Sequence, residues 1–133
     1  MRVASLFGVM LIGLASLTAS AWAADHTKDT PADVKKAVAD GKAVLLDVRE
    51  KSEWDGGHLK DAKHLPLSAL KGDVKAEDVV KVAPKDKIIY CHCSAGVRCL
   101  KAADALTKLG YDVRPLKPGY TDLLKAGFAP APK

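Results

Sequence analysis

The sequence is poor in aromatic residues and has no dense run of basic residues. Aromatic side chains make up 5% of its 133 residues, and the formal net charge is only +5. The lysines are scattered along the chain without aromatic partners, which gives little support to nucleic-acid binding and favours an ordinary solvated surface. A mildly positive surface still helps to attract small anions.

Cysteine is absent from the first 90 residues, and its three occurrences are Cys91, Cys93 and Cys99. No cysteine lies near the expected signal-peptide cleavage site before Ala24, which argues against a lipoprotein anchor. A structural disulfide framework would spread its cysteines along the chain, whereas these lie within nine positions. An odd number leaves at least one thiol free, metal-bound or paired between chains. The clustering indicates chemistry at one place.

Residues 1–23 have the pattern of a signal peptide. Arg2 gives a positive start, an apolar stretch follows, and Ala21-Trp22-Ala23 is a small-x-small cleavage signal. We expect cleavage before Ala24 and export to the bacterial periplasm, with no stable membrane association afterwards. An uncleaved N-terminal anchor is the alternative. Removal of this segment takes away one positive charge and leaves +4.

The remainder, about 110 residues, is the size of one domain. We expect a flexible lead-in at 24–29, a domain at 30–128 and a disordered tail at 129–133. Continuous apolar runs at 43–48 and 87–92 predict buried parallel strands, and periodic leucines predict a helix over 98–109. Alternating strands and helices indicate an α/β fold with a mainly parallel sheet. Ligands bind such sheets at the carboxyl ends of strands, where Cys93 is expected.

The six-residue stretch from Cys93 to Arg98 carries the chemistry. Small residues let the backbone curl so that amide groups converge on a sulfur or an oxyanion, and the following helix adds free N–H groups. Together with Arg98 these groups should stabilise a thiolate, and the pKa of cysteines in such settings is about 3.5–7.5. The candidate catalytic residues are Cys93 and Arg98. The candidate substrate-binding residues are Ser94, Ala95, Gly96, Val97 and Arg49.

Several ordered blocks of the sequence resemble the rhodanese domain family. The resemblance extends over nearly all of the chain after residue 23. The blocks are Leu45-Leu46-Asp47-Val48-Arg49-Glu50, Glu53-Trp54, Gly57-His58-Leu59, Leu65-Pro66, the Cys93 to Arg98 stretch, and Leu109-Gly110-Tyr111 with Gly119.

The resemblance implies a doubly wound, mainly parallel five-stranded α/β domain with flanking helices. It also implies a sulfurtransferase that carries sulfur as a persulfide on Cys93, without metal or organic cofactor. The partners would be a small sulfur-containing anion and a thiol acceptor. Four residues separate Cys93 from Arg98, as is typical of the sulfurtransferases. The related phosphatases have five, which disfavours phosphatase activity.

Alternatives remain for the other cysteines. If Cys91 were the nucleophile, six residues would separate it from the arginine, which is too long for the pattern. We therefore favour Cys93 and expect Cys91 in the core. Cys99 either forms a disulfide with Cys93 as an accessory thiol or packs in the helix. A thiol-redox protein or a soft-metal module, with His92 as a further ligand, are the competing functions. A monomer and a homodimer are both compatible with the sequence.

Overall fold

The computed structural model describes residues 24–133, so the expected signal peptide at 1–23 lies outside the described residues. None of the helices formed by residues 24–133 is long and apolar enough to cross a membrane.

A parallel sheet forms the centre of the domain. Its strands are β1 (Ala43–Asp47), β2 (Ala62–His64), β3 (Ile88–His92) and β4 (Val113–Pro115), arranged in the order β2-β1-β3-β4. All three strand pairs are parallel. The α/β class with a parallel sheet is therefore confirmed, but residues 24–133 form four strands where five were expected.

Helices connect the strands. They are α1 (Pro31–Ala39), α2 (Lys51–Asp55), α3 (Ala76–Val80), α4 (Arg98–Lys108) and α5 (Tyr120–Lys125), with a 3-10 turn at Leu67–Leu70. The sequence explains the start of α1. The Thr30 side chain accepts a hydrogen bond from the Asp33 amide, and the Asp33 side chain accepts one from the Thr30 amide. The predicted helix after the Cys93 loop is present as α4.

Both faces of the sheet are covered, because side chains alternate along each strand. On one face Leu45 and Tyr90 pack with Val34 of α1 and Leu123 of α5. On the other face Leu46, Ile89 and Cys91 pack with residues of α4. Helices on both sides explain why β1 and β3 are continuous apolar runs.

The segment 24–29, expected to be a flexible lead-in, is bound to the sheet edge. The Thr27 amide donates to the Pro115 carbonyl at 2.8 Å, and the Tyr90 hydroxyl donates to Asp29 at 2.6 Å. This backbone pairing beside β4 uses polar residues without a strand-like pattern, so the local sequence gave no sign of it. We call residues 24–29 the N-terminal strap.

The segment 129–133, expected to be disordered, also makes defined contacts. The Ala131 amide donates to the His58 carbonyl at 2.8 Å, and the Lys60 amide donates to the Ala129 carbonyl at 2.9 Å. These two bonds hold the tail against the loop between α2 and β2. Such pairing depends on a loop about 70 positions away, which a Pro-rich composition alone does not reveal.

Candidate active site

The stretch from Cys93 to Arg98, called the Cys93 loop below, joins β3 to α4. β3 lies between β1 and β4, so Cys93 follows the carboxyl end of a central strand, the usual ligand-binding edge. The Tyr120 amide, at the start of α5, donates to the Cys93 carbonyl at 2.9 Å. The loop is therefore fixed by β3, α4 and α5 together.

Gly96 turns the loop back onto the cysteine. Its amide donates to Cys93 Sγ at 3.1 Å, and its φ is +83°. A Cβ at this position would lie 2.9 Å from the Lys117 carbonyl oxygen. Positive φ and the close carbonyl both require glycine here. This contact is the first of the converging amides that the sequence predicted.

Gly119 brings a second backbone against the loop. A Cβ at Gly119 would lie only 1.8 Å from the Ser94 carbonyl oxygen and 2.9 Å from that of Cys93. No side chain fits in this space. The start of α5 thus packs backbone to backbone on the Cys93 loop.

The sulfur itself is covered, whereas the outer surface of the loop is open. Cys93 is 1% exposed and Gly96 is buried, but Ser94, Ala95 and Val97 are exposed, Val97 by 59%. Any reactant must therefore reach Cys93 through the thin layer formed by the loop. Local movement of the loop is the simplest way to admit it.

Arg98, the first residue of α4, is bound by an acid that sequence reasoning did not assign to the site. Glu53 of α2 binds the guanidinium with both carboxylate oxygens, the longer contact being 2.9 Å, and the Ser94 hydroxyl donates to Glu53 at 3.0 Å. The hydrogen bond from Arg98 lowers the pKa of Glu53 to about 2. Glu53 is therefore ionised and offsets the charge of Arg98 in the resting protein.

Arg49 does not join the other candidate residues. Its guanidinium donates to both carboxylate oxygens of Asp47 and, at 2.8 Å, to the Gly57 carbonyl, and it lies 4.3 Å from the ring centre of Tyr120. Arg49 is 5% exposed. With Nε and Nη2 engaged in this way, it ties the end of β1 to the neighbouring loop and α5. The geometry favours a supporting role over contact with a substrate.

The pKa of Cys93 differs from the sequence expectation. Interaction with the Cys99 thiol and burial raise it to about 12, and backbone hydrogen bonds offset only part of this effect. The sequence predicts a lowered pKa from the loop amides and Arg98. It leaves open whether Cys99 lies beside Cys93, and it does not indicate that Glu53 offsets the arginine. The raised pKa favours the thiol form of Cys93 at neutral pH.

Cys99 and Cys91 are both buried and unbridged. The Cys99 thiol lies 3.2 Å from two carbonyl oxygens, those of Gly96 and Leu116, and the Cys91 thiol donates to the Cys99 carbonyl at 3.4 Å. The expected core position of Cys91 is confirmed. In the part of the chain from residue 24 onwards, no three His, Cys, Asp or Glu side chains are arranged to hold a metal ion. The described residues therefore give no geometric support to a soft-metal binding function.

His92 is an unexpected buried group. It is 0% exposed, and neither ring nitrogen has a hydrogen-bond partner. Its Nε2 lies 3.6 Å from Asp47 Oδ2, too far for a good hydrogen bond but close enough for electrostatic interaction. This imidazole without a hydrogen-bond partner directly precedes Cys93.

Two histidines that could have served as general bases lie on either side of Trp54. The His58 ring stacks on the indole with 3.5 Å between centroids, and the His64 ring stacks at 4.7 Å. Each histidine also places a ring nitrogen near a backbone carbonyl, His58 at Trp54 and His64 at Arg49. Since a carbonyl only accepts, these nitrogens carry hydrogen. We call this arrangement the histidine bracket.

Fold and site together define a class of protein. It is an α/β domain with a cysteine in the loop after a central strand, a glycine amide that donates to the cysteine sulfur, and an arginine as the first residue of the next helix. A rhodanese-like domain profile matches residues 30–126. The chain belongs to the rhodanese-like domain family.

Known proteins are similar to part of this chain. Uncharacterized protein YqhL of Bacillus subtilis is 39% identical over 80 residues, which are 59% of each chain. The tRNA uridine(34) hydroxylase of Erwinia tasmaniensis is 30% identical over 81 residues, 61% of this chain and 23% of that protein. The matched part is therefore well short of the full length of either relative. The crystal structure of reduced Bacillus anthracis CoADR-RHD superposes with a TM-score of 0.61 at 29% identity, covering 78% of this chain and 18% of that one.

Proposed function

We propose that this protein is an exported sulfurtransferase that moves sulfane sulfur from thiosulfate or a similar donor to a thiol acceptor through a persulfide on Cys93. The observation that carries the proposal is the Gly96 amide, which points at Cys93 Sγ within a loop of sulfurtransferase length. A sulfur atom added to Cys93 would be held by the same backbone that now holds the thiol.

The reaction has two displacements. In the first, the Cys93 thiol loses its proton to water and the thiolate attacks the outer sulfur of thiosulfate. A Cys93 S–S bond forms, the S–S bond of the donor breaks, and sulfite leaves with the electron pair. In the second, an acceptor thiolate attacks the outer sulfur of the persulfide, and Cys93 leaves as thiolate. The chemistry needs neither a metal nor an organic cofactor, and the kinetics should be ping-pong.

The role we propose for Arg98 is to stabilise the sulfur anion once Glu53 no longer offsets its charge. Arg98 supplies a permanent positive charge at the start of α4, and Glu53 sets its orientation. Ser94 contacts both side chains, since Arg98 also donates to its hydroxyl at 3.1 Å. We propose that the bound donor competes with Glu53 for Arg98.

Export to the periplasm is part of the same proposal. It is supported by the cleavage signal at Ala21-Trp22-Ala23, which follows a positive start and an apolar stretch. A small anion and a thiol acceptor are the partners we propose.

The test is thiocyanate production from thiosulfate and cyanide by protein that begins at Ala24, beside Cys93→Ser and Cys91→Ser. We expect Cys93→Ser to lose activity by at least about 1,000-fold, because it removes the nucleophile, and Cys91→Ser to retain most of it. Loss only in Cys91→Ser would mean that the nucleophile is misassigned. Wild-type protein without activity would overturn the proposal for this donor.

A thiol-redox function is the second candidate, favoured by the adjacency of two thiols. The Gly96 residue contacts both, through its amide to Cys93 and its carbonyl to Cys99. Oxidation would join the two sulfurs and release two electrons and two protons to an oxidant. A count of free thiols after mild oxidation separates the candidates: one remaining thiol supports the redox function, and three remove it.

A further inference from the structure

A residue that precedes the part of the chain matched by the rhodanese-like profile contacts the Cys93 loop. His26 Nε2 lies 2.6 Å from the Gly96 carbonyl oxygen, and His26 is half-buried on the N-terminal strap. The matched span begins only at residue 30. The contact thus belongs to this chain's own N-terminal segment.

The direction of this hydrogen bond follows from the acceptor. A carbonyl oxygen has no hydrogen to give, so Nε2 carries the hydrogen and donates it. The same carbonyl also accepts from the Cys99 thiol at 3.2 Å. Two donors from different elements therefore fix the Gly96 carbonyl.

Fixing this carbonyl also fixes the next amide. The C=O of Gly96 and the N–H of Val97 belong to one trans peptide plane and point in opposite directions. The N–H of Gly96 belongs to the preceding peptide plane and donates a hydrogen bond to Cys93 Sγ. His26 therefore holds one of the two peptide planes that meet at Gly96, the residue whose positive φ shapes the loop.

We propose that His26 is a positioning residue for the Cys93 loop. By holding the Gly96–Val97 peptide, it presets the loop amides for a sulfur anion and keeps the loop closed over Cys93. This inference rests on the proposed sulfurtransferase function for its kinetic consequence, but its effect on the access to Cys93 is independent of that function.

The strap is anchored on both sides of His26, which gives the residue a fixed position. Before it, the Ala24 amide nitrogen donates to Asp104 Oδ1 of α4 at 3.0 Å. After it, the Thr27 amide donates to the Pro115 carbonyl at the end of β4. His26 is thus held against the loop by backbone contacts that do not involve its own side chain. Replacing the side chain should leave the strap in place.

The experiment compares His26→Ala, His26→Gln and Asp25→Ala in protein that begins at Ala24. Glutamine presents an N–H near the position of Nε2, whereas alanine presents none; Asp25→Ala alters the adjacent exposed side chain and controls for the strap. Two quantities are measured: kcat and KM for thiosulfate, and the rate at which iodoacetamide alkylates Cys93, followed by peptide mass spectrometry. The unfolding midpoint of each variant is recorded as well.

We expect His26→Ala to lower kcat about 10-fold, less than the loss of a donor that touches the reacting atoms directly, with little change in KM. Alkylation of Cys93 should become several-fold faster because the loop opens more often. His26→Gln should restore both quantities to within about 3-fold of wild type, and Asp25→Ala should match wild type.

Equal kcat and alkylation rates in wild type and His26→Ala would overturn the inference, and so would equal losses in the alanine and glutamine variants. If wild-type protein does not turn over thiosulfate, the sulfurtransferase proposal fails for this donor, but the alkylation rates still decide the role of His26. Faster alkylation in alanine that glutamine reverses supports it, and unchanged alkylation contradicts it.

Discussion

Glu53 binds Arg98 with both carboxylate oxygens although the two residues are 45 positions apart in the chain. The pair joins α2, which follows β1, to α4, which follows β3. Arg98 is the positive group expected to attract an anionic donor. Its charge is thus offset until a donor arrives, and this has a measurable consequence.

Glu53→Gln should lower the KM for thiosulfate by about 3- to 10-fold, a gain of roughly 1 kcal/mol in donor binding. The amide keeps the size of the side chain but removes the negative charge that competes with the donor for Arg98. Asp55→Asn is the matched control, because Asp55 lies on the same helix and pairs with Lys51, not with Arg98. A raised KM in Glu53→Gln alone would mean that the orientation of Arg98 matters more than its free charge.

Cys99→Ala should lower the pKa of Cys93 from its raised value of about 12, because the Cys99 thiol is the largest cause of that rise. A raised pKa keeps the group protonated as pH rises, so the variant should form thiolate at lower pH. The pH midpoint of Cys93 alkylation measures this directly and separates it from a change in access. Cys91→Ala is the control, and an unchanged midpoint in Cys99→Ala would contradict the prediction.

Gly119→Ala should displace the Cys93 loop. The new methyl group would overlap the Ser94 carbonyl, which it meets at 1.8 Å, so one backbone must move. We expect a loss of about 1–3 kcal/mol in the free energy of unfolding and a loss of most thiosulfate activity. Gly72→Ala serves as a control, since it has a positive φ but open space around its Cβ position, and it should retain activity. Full activity in Gly119→Ala would show that the loop is not held by α5.

Asp47→Asn should destabilise the domain by about 3–5 kcal/mol at pH 7, because it leaves the buried Arg49 without its partner. Urea unfolding checks this value. Asp55→Asn removes an exposed partner of Lys51 and should change stability by less than about 0.5 kcal/mol. Equal effects of the two substitutions would refute the importance of the buried pair.

The same carboxylate makes stability depend on pH. Burial alone would raise the pKa of Asp47, but the contacts with His92 and Arg49 outweigh it and hold the pKa well below the ordinary value. A depressed pKa gives stability that is complete above about pH 4, the unfolded value, and is lost as pH falls toward the folded one. Unfolding at pH 7 and pH 3 should show this loss in wild type and a smaller one in Asp47→Asn.

The sequence predicted the framework well, because the framework depends on local pattern. The apolar runs at 43–48 and 87–92 identified β1 and β3, and the spacing of leucines identified α4. The junction between β3 and α4 then placed Cys93 at the correct edge of the sheet. Each of these inferences needed only residues that are neighbours in the chain.

The electrostatics of the site could not be predicted in the same way. Glu53 reaches Arg98, and His26 reaches Gly96, across 45 and 70 positions respectively. Nothing in the local pattern of α2 or of the N-terminal strap indicates either contact. The raised pKa of Cys93 likewise depends on which way Cys99 turns at the start of α4, and the local pattern is compatible with more than one orientation.

The histidine bracket allows the surroundings of Trp54 to be followed by fluorescence. Of the two tryptophans in the sequence, Trp54 is the one that follows residue 23, and it neighbours Glu53. An indole stacked between two imidazoles changes its surroundings when either ring moves away from it. Tryptophan fluorescence of protein that begins at Ala24 therefore comes from one residue, and it would report a displacement of either histidine ring without any added label.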